Sequence, residues 1–128
     1  MPPLVLASSS PYRRELLARL RLPFSWCAPD IDESRRADES ADSLVRRLSL
    51  EKAQALRNSH PQHLIIGSDQ VAVLGERIIG KPHTFDKARE QLLAASGTSV
   101  TFLTGLALLN SQTGQCQVDC VPFTVHMR

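Results

Sequence analysis

The chain has 128 residues, of which 42% are hydrophobic and 22% charged. That size and balance describe one globular domain, spanning residues 1–128, and exclude wholesale disorder. Fifteen basic residues against 13 acidic ones leave a net charge of +2, too small to argue for nucleic acid. No apolar run approaches the ~18 residues of a membrane-spanning helix. The N-terminus has no basic stretch ahead of its short apolar run, so it is a poor secretory signal and the chain reads as cytoplasmic. Cys27, Cys116 and Cys120 are odd in number and lack a CxxC spacing. They fit reduced thiols acting as small, half-buried apolar side chains better than zinc ligands.

Leu4-Val5-Leu6-Ala7 predicts a buried strand, ended by Ser8-Ser9-Ser10-Pro11. Ser10 is a good N-cap and Pro11 suits the first helical position. Leu16, Leu17 and Leu20 give that helix an apolar stripe, and Pro23 stops it. Residues 24–28 predict a second short strand, followed by an irregular acidic stretch over 29–39 with Asp30, Asp32, Glu33, Asp38 and Glu39. A long helix is expected over 40–58, with Leu44, Leu48, Ala55 and Leu56 on one face and Arg46, Arg47 and Lys52 on the other.

Residues 63–68 form the clearest buried strand, with Asp69 at its carboxyl end. Residues 71–74 and 78–79 predict a hairpin around Gly75-Glu76, and Gly80-Lys81-Pro82 a turn. Thr84 caps a helix expected to run to Ala95, with Ser96-Gly97 ending it. Residues 99–109 and 115–126 alternate as two strands joined by a turn. This order predicts an α/β fold, a mixed twisted sheet with flanking helices. The sequence stops at residues 125–128 inside a predicted strand, which reads as a domain whose C-terminal part is missing and leaves a strand edge open to association.

Three groups of residues could carry chemistry. Ser8, Ser10 and Arg13 stand at a helix start, where hydroxyls, free amides and a guanidinium fork suit a phosphate chain. An ordinary Ser-Pro cap with solvated arginines reads the same residues blandly. Asp69 follows a buried strand, the place where open α/β sheets bind ligands, and could hold a divalent metal or take a proton from water. A turn aspartate bonding its own backbone is the equal alternative. Asp32-Glu33 with Lys52 and Lys81 make the third group: Glu33 could complete a magnesium or manganese site with Asp69, and the lysines could neutralise phosphates, but charged residues in loops and on a helix are usually solvated and no spacing brings these together. Gly75 to Pro82 copies the GxxxxGK of a P-loop, but Pro82 stands where magnesium needs Ser or Thr, and that reading is discarded. His60 and His63 flank Pro61 and read as loop.

Taken in order, LASSSPYRRELL, the IDE at Ile31-Asp32-Glu33, the EKA at Glu51-Lys52-Ala53, IGSDQV and GKP resemble the Maf family of nucleotide pyrophosphatases. The resemblance covers nearly the whole chain. It implies an α/β fold with a deep cleft like that of the inosine triphosphate pyrophosphatases, and frequent homodimers. It also implies hydrolysis of nucleoside triphosphates between the α and β phosphates with a divalent metal, Mg2+ or Mn2+. By the same resemblance Asp69 matches the proton acceptor, Glu33 the acidic residue tied to metal, and Ser8, Ser10, Arg13, Lys52 and Lys81 the phosphate contacts. Tyr12 and Gln70 look like the branch acting on 7-methyl-GTP, since an aromatic ring can stack on a positively charged methylated guanine. The expected activity is a house-cleaning one against modified nucleotides. The competing expectation is a non-catalytic nucleotide-binding fragment with a regulatory role in cell division. An RNA-binding module is disfavoured by 5% aromatic content and near-balanced charge.

Overall fold

The structure, a computed structural model, describes residues 2–34, 36–74, 77–79 and 99–126. Strand β1 (Leu4–Ala7) is buried at all four positions, as a continuous apolar run in a parallel pairing should be. Helix α1 (Pro11–Ala18) follows, with Pro11 at its first turn and the Ser10 hydroxyl accepting from the Arg13 amide at 3.3 Å. Strand β2 (Phe24–Cys27) pairs parallel with β1 on its outer side. Helix α2 (Ala41–Ala55) starts at Ser40, whose hydroxyl accepts from the Ser43 amide at 3.1 Å, and leads into β3 (Leu64–Leu74).

Strand β3 pairs parallel with β1 through Gly67 and antiparallel with β5 (Ser99–Asn110) along its whole length. Strand β4 (Arg77–Ile79) turns back on the end of β3, and β6 (Cys116–His126) closes the other edge beside β5. Among the described residues the sheet has six strands, in the order β2-β1-β3-β5-β6 with β4 paired to β3. This is the predicted α/β fold with a mixed sheet. Where two segments were expected over 63–68 and 71–74, one eleven-residue strand runs straight through Asp69. Its unbroken partner β5 is long enough to pair with every residue from Leu64 to Leu74.

Alternation along the strands assigns each side chain to a face. Val5, Ala7, Ile65, Ala107 and Leu109 point toward α2 and form the core with its Ala53 and with Leu56 just beyond it. Gly67 and Gly105 share that face, and here the lack of a side chain is required. A Cβ on Gly67 would collide with the Ser49 carbonyl oxygen, and one on Gly105 with the Val45 carbonyl oxygen. The helix backbone therefore rests directly on the sheet, with Ser49 fully buried and its hydroxyl turned back to Val45 O at 2.6 Å.

Three sequence expectations change. Lys52 is not on the solvated face of α2; it is 5% exposed and points inward, while Ala55 is exposed and Ala53 takes its core place. Helix α1 buries none of its residues, and Leu16 and Leu20 of its expected stripe are exposed. Cys116 is exposed rather than half-buried, whereas Cys27 and Cys120 are half-buried, and all three thiols are free. The helix expected over 84–95 lies outside the described residues.

Candidate functional site

The chain leaves β1 for β2 on one side and arrives at β3 on the other, so the strand order reverses at the carboxyl ends of β1 and β3. Open α/β sheets bind their ligands in the crevice at such a reversal. The parallel pairing ends at Ala7 and Gly67. Ser8 and Asp69 follow within two residues, both at 4% exposure. Asp69 projects on the α2 side, because it is in phase with Ile65 and Gly67.

Lys52 reaches Asp69 from above. Its Nζ lies 2.9 Å from Asp69 Oδ1, donates to Ser68 O at 3.2 Å, and stands 3.1 Å from Glu33 Oε1. One ammonium thus joins α2, β3 and the acidic loop that precedes α2. A lysine this deeply covered needs such partners, because an unpaired buried charge costs several kcal/mol by desolvation, on the order of the cost of breaking a buried ion pair. The glycine contacts explain why it can reach them. Only with α2 seated on Gly67 and Gly105 does a lysine one turn beyond Ser49 meet the strand at Asp69.

Glu33 comes from a loop held at several points. Asp32 Oδ1 accepts from the Ser34 amide at 2.9 Å, and hydrogen bonds from the Ser34 hydroxyl and then its amide hold the Asp32 carboxyl below its usual range. Asp32 therefore closes a local turn and does not join Glu33 at Lys52. Arg47 donates to Glu39 through Nε at 2.6 Å and Nη2 at 2.9 Å, to Glu51 at 3.0 Å, and to Ser34 O at 2.9 Å. The Arg47 guanidinium lowers the Glu39 carboxyl to about 2, and the pair raises Arg47 further above its ordinary value.

The first helix presents a second group of polar atoms. Ser8 Oγ accepts from the Ser10 amide at 3.0 Å, and Ser10 Oγ accepts from Arg13. Both hydroxyl protons remain to be donated toward an anion. Arg13 is half-buried, and its guanidinium makes no ion pair or hydrogen bond among the described residues. Tyr12 is 68% exposed at the first turn of α1. Gln70 lies on the opposite sheet face from Asp69 and donates to Thr104 Oγ1 at 3.0 Å. Lys81 lies outside the described residues, as does most of the discarded P-loop match. The geometry thus unites Glu33, Lys52 and Asp69, and groups Ser8, Ser10, Tyr12 and Arg13 separately around the start of α1.

Two carboxylate oxygens converge on one cationic position, and among the described residues no cluster of three or more His, Cys, Asp or Glu forms. Magnesium characteristically takes one or two carboxylates and completes its shell with water and substrate phosphates. Glu33 and Asp69 are the described carboxylates that could contribute to such a shell, and Lys52 Nζ stands between them in this structure.

A family model for Maf-like protein matches residues 3–128, a span that takes in all the candidate residues. The chain belongs to the Maf family. A relative from Pseudomonas fluorescens (strain Pf-5), named 7-methyl-GTP pyrophosphatase, is 80% identical over 128 residues, all of this Maf chain and 67% of the relative. A Pseudomonas aeruginosa relative of the same name is 70% identical over the same shares. One from Alcanivorax borkumensis, again of that name, is 60% identical over 99% of this chain and 64% of its own length.

Sequence reasoning missed Arg47, Gly67 and Gly105 as parts of this arrangement. Glycines inside otherwise apolar strands signal close backbone approach, and that signal was present at both positions. Arg47 offered a weaker one, a basic residue four before Glu51 on a helix.

Proposed function

We propose that this Maf protein is a nucleoside triphosphate pyrophosphatase that hydrolyses 7-methyl-GTP to 7-methyl-GMP and pyrophosphate in the cytoplasm, with Mg2+ or Mn2+. The observation that supports it most is Lys52 bridging Asp69 and Glu33 at the point of strand reversal, in a chain 70–80% identical to proteins named for that reaction. Asp69 Oδ1 faces Lys52, while Oδ2 takes no hydrogen bond among the described residues. That second oxygen is the one to accept the proton from the attacking water. Water supplies a hydroxyl to phosphorus, the phosphorus bond to the bridging oxygen between the α and β phosphates breaks, and pyrophosphate leaves.

Pyrophosphate carries away negative charge, and Arg13, Lys52 and Lys81 are the cations to balance it, with the Ser8 and Ser10 hydroxyls as neutral donors. When bound through Glu33 and Asp69, a divalent metal supplies charge stabilisation on the phosphate oxygens. Tyr12 offers an open ring for the cationic methylated base, and Gln70 is the second residue of that branch preference.

Product analysis with 7-methyl-GTP, GTP, dTTP, UTP and CTP in magnesium or manganese tests the reading. Pyrophosphate and 7-methyl-GMP from the first substrate are expected, and Asp69→Asn should lower turnover by about 10²- to 10⁴-fold, the usual worth of a general base. Asparagine keeps an acceptor for Lys52, so the variant should still fold. Undiminished turnover in Asp69→Asn would remove the base role. Nucleotide binding by calorimetry without product would favour a non-catalytic protein instead.

A further inference from the structure

Between Glu33 and the first turn of α2 the described residues Ser34 and 36–40 form no strand or helix of their own. A carboxylate borne on such a segment is useful only if the backbone on either side is fixed. Here it is. On the Glu33 side, the Ser34 amide is bound by Asp32 Oδ1 and the Ser34 carbonyl by Arg47 Nη2. Further along, Glu39 Oε1 accepts from the Arg36 amide at 3.1 Å, and the Glu39 amide donates to Arg36 O at 3.2 Å. The Glu39 carboxylate is in turn gripped by two nitrogens of Arg47. The third nitrogen holds Glu51, so the guanidinium is locked to its own helix.

All three guanidinium nitrogens are in use, and the side chains of Arg47 and Glu39 are only 15% and 9% exposed. This exceeds what a surface ion pair does. Lys52 stands on the same helix, five residues on, and meets Glu33 at 3.1 Å. The loop is thus tied to α2 by Arg47 through Ser34 O and the Glu39 carboxylate, by Lys52 through the Glu33 carboxylate, and by Arg36, whose Nη2 stands 3.7 Å from Glu51 Oε1.

We propose that Arg47 is a positioning residue that sets the Glu33 carboxylate against Lys52 and Asp69 by fixing the backbone at Ser34 and, through Glu39, at Arg36. The proposal rests on the role given above to Glu33. Lysine cannot replace Arg47, because a single ammonium lacks the fork that reaches Glu39, Glu51 and Ser34 O together.

Two readouts on the full chain test it. The first is amide hydrogen exchange at Ser34 and Arg36, which needs neither metal nor nucleotide. Arg47→Ala and Arg47→Lys should both speed exchange there, with the amides of β3 unchanged. Glu39→Gln, which loosens the same clamp while leaving Arg47 in place, should do so too and guards against a misfolded Arg47 variant. The second is a double-substitution cycle in turnover of 7-methyl-GTP. Arg47→Ala should lower kcat by about 10- to 100-fold, the cost of a small misplacement of a reacting group, while KM moves little. Added to Glu33→Gln, it should cost nothing further, because the group it positions is already gone. Losses that multiply in the double variant, or unchanged exchange at Ser34 and Arg36, would overturn the proposal. Full turnover in Glu33→Gln alone would instead overturn the role of Glu33, while faster exchange in the Arg47 variants would still show that Arg47 holds the segment.

Discussion

Helix α2 lies on its face of the sheet with Leu44, Val45, Leu48 and Ala53 buried, and no room for a Cβ at Gly67 or Gly105. Helix α1, beside the other face, buries none of its eight residues. Its visible tie to the sheet is Arg14, whose guanidinium stacks 3.9 Å over the Trp26 ring while its Nε is buried without a hydrogen-bond partner. Toward the other edge, on β5 and β6, that face exposes Leu106, Leu108, Val121 and Phe123. The charged centre of Glu33, Lys52 and Asp69 belongs entirely to the close-packed side. Charges can be held in register there, because the helix and strand that bear Lys52 and Asp69 have no slack between them. The residues around the start of α1 sit on the looser side, where few buried contacts hold an element in one place.

Substitutions on the two faces should therefore differ widely. Lys52→Met strands Asp69 as a buried charge and should cost about 3–5 kcal/mol, read as a lower urea midpoint. Gly67→Ala forces α2 off the sheet and should cost about 1–3 kcal/mol. It should also reduce turnover, since Lys52 moves away from Asp69; normal turnover would mean that the close seating does not set the site. On the open face Phe123→Ser should shift stability by no more than about 0.5 kcal/mol in the same titration. A large loss there would mean that the face is not open.

The loop clamp adds a pH dependence with a defined sign. Glu39 has its carboxyl lowered from an ordinary 4.5 to about 2. Its contribution is present above about pH 4.5 and lost as the pH falls through about 2, because the unfolded chain binds that proton first. Urea midpoints of the parent and Glu39→Gln should keep a constant gap from neutral pH to about 4.5 and converge below it. A gap that persists unchanged at pH 2 would place the clamp's stability outside the Glu39 carboxylate.

Much of the fold was legible residue by residue. Ser10 and Ser40 announced both helix starts, since capping is a local matter of one hydroxyl and a nearby amide. The apolar runs at 4–7 and 64–66 read as buried strands because parallel strands bury both faces. The motifs named the family, and in the structure Lys52 stands between Glu33 and Asp69, a meeting that no spacing in the sequence announced. Periodicity did less well where the neighbour decides the outcome. The leucines of α1 look like a core stripe, yet nothing among the described residues buries them.

By itself, then, the sequence determined the caps, the strand cores and the ordered set of chemical side chains, all of which depend on near neighbours in the chain. Only the tertiary structure decided that Lys52 points inward rather than to water. That depends on Gly67 and Gly105, fifteen and 53 residues away in sequence, letting a helix backbone touch the sheet. The same holds for Arg47, whose three nitrogens find Ser34, Glu39 and Glu51 only after the loop has folded back along α2. A charged side chain on a helix has no preferred partner until packing brings one within about 3 Å, and local pattern does not contain that distance.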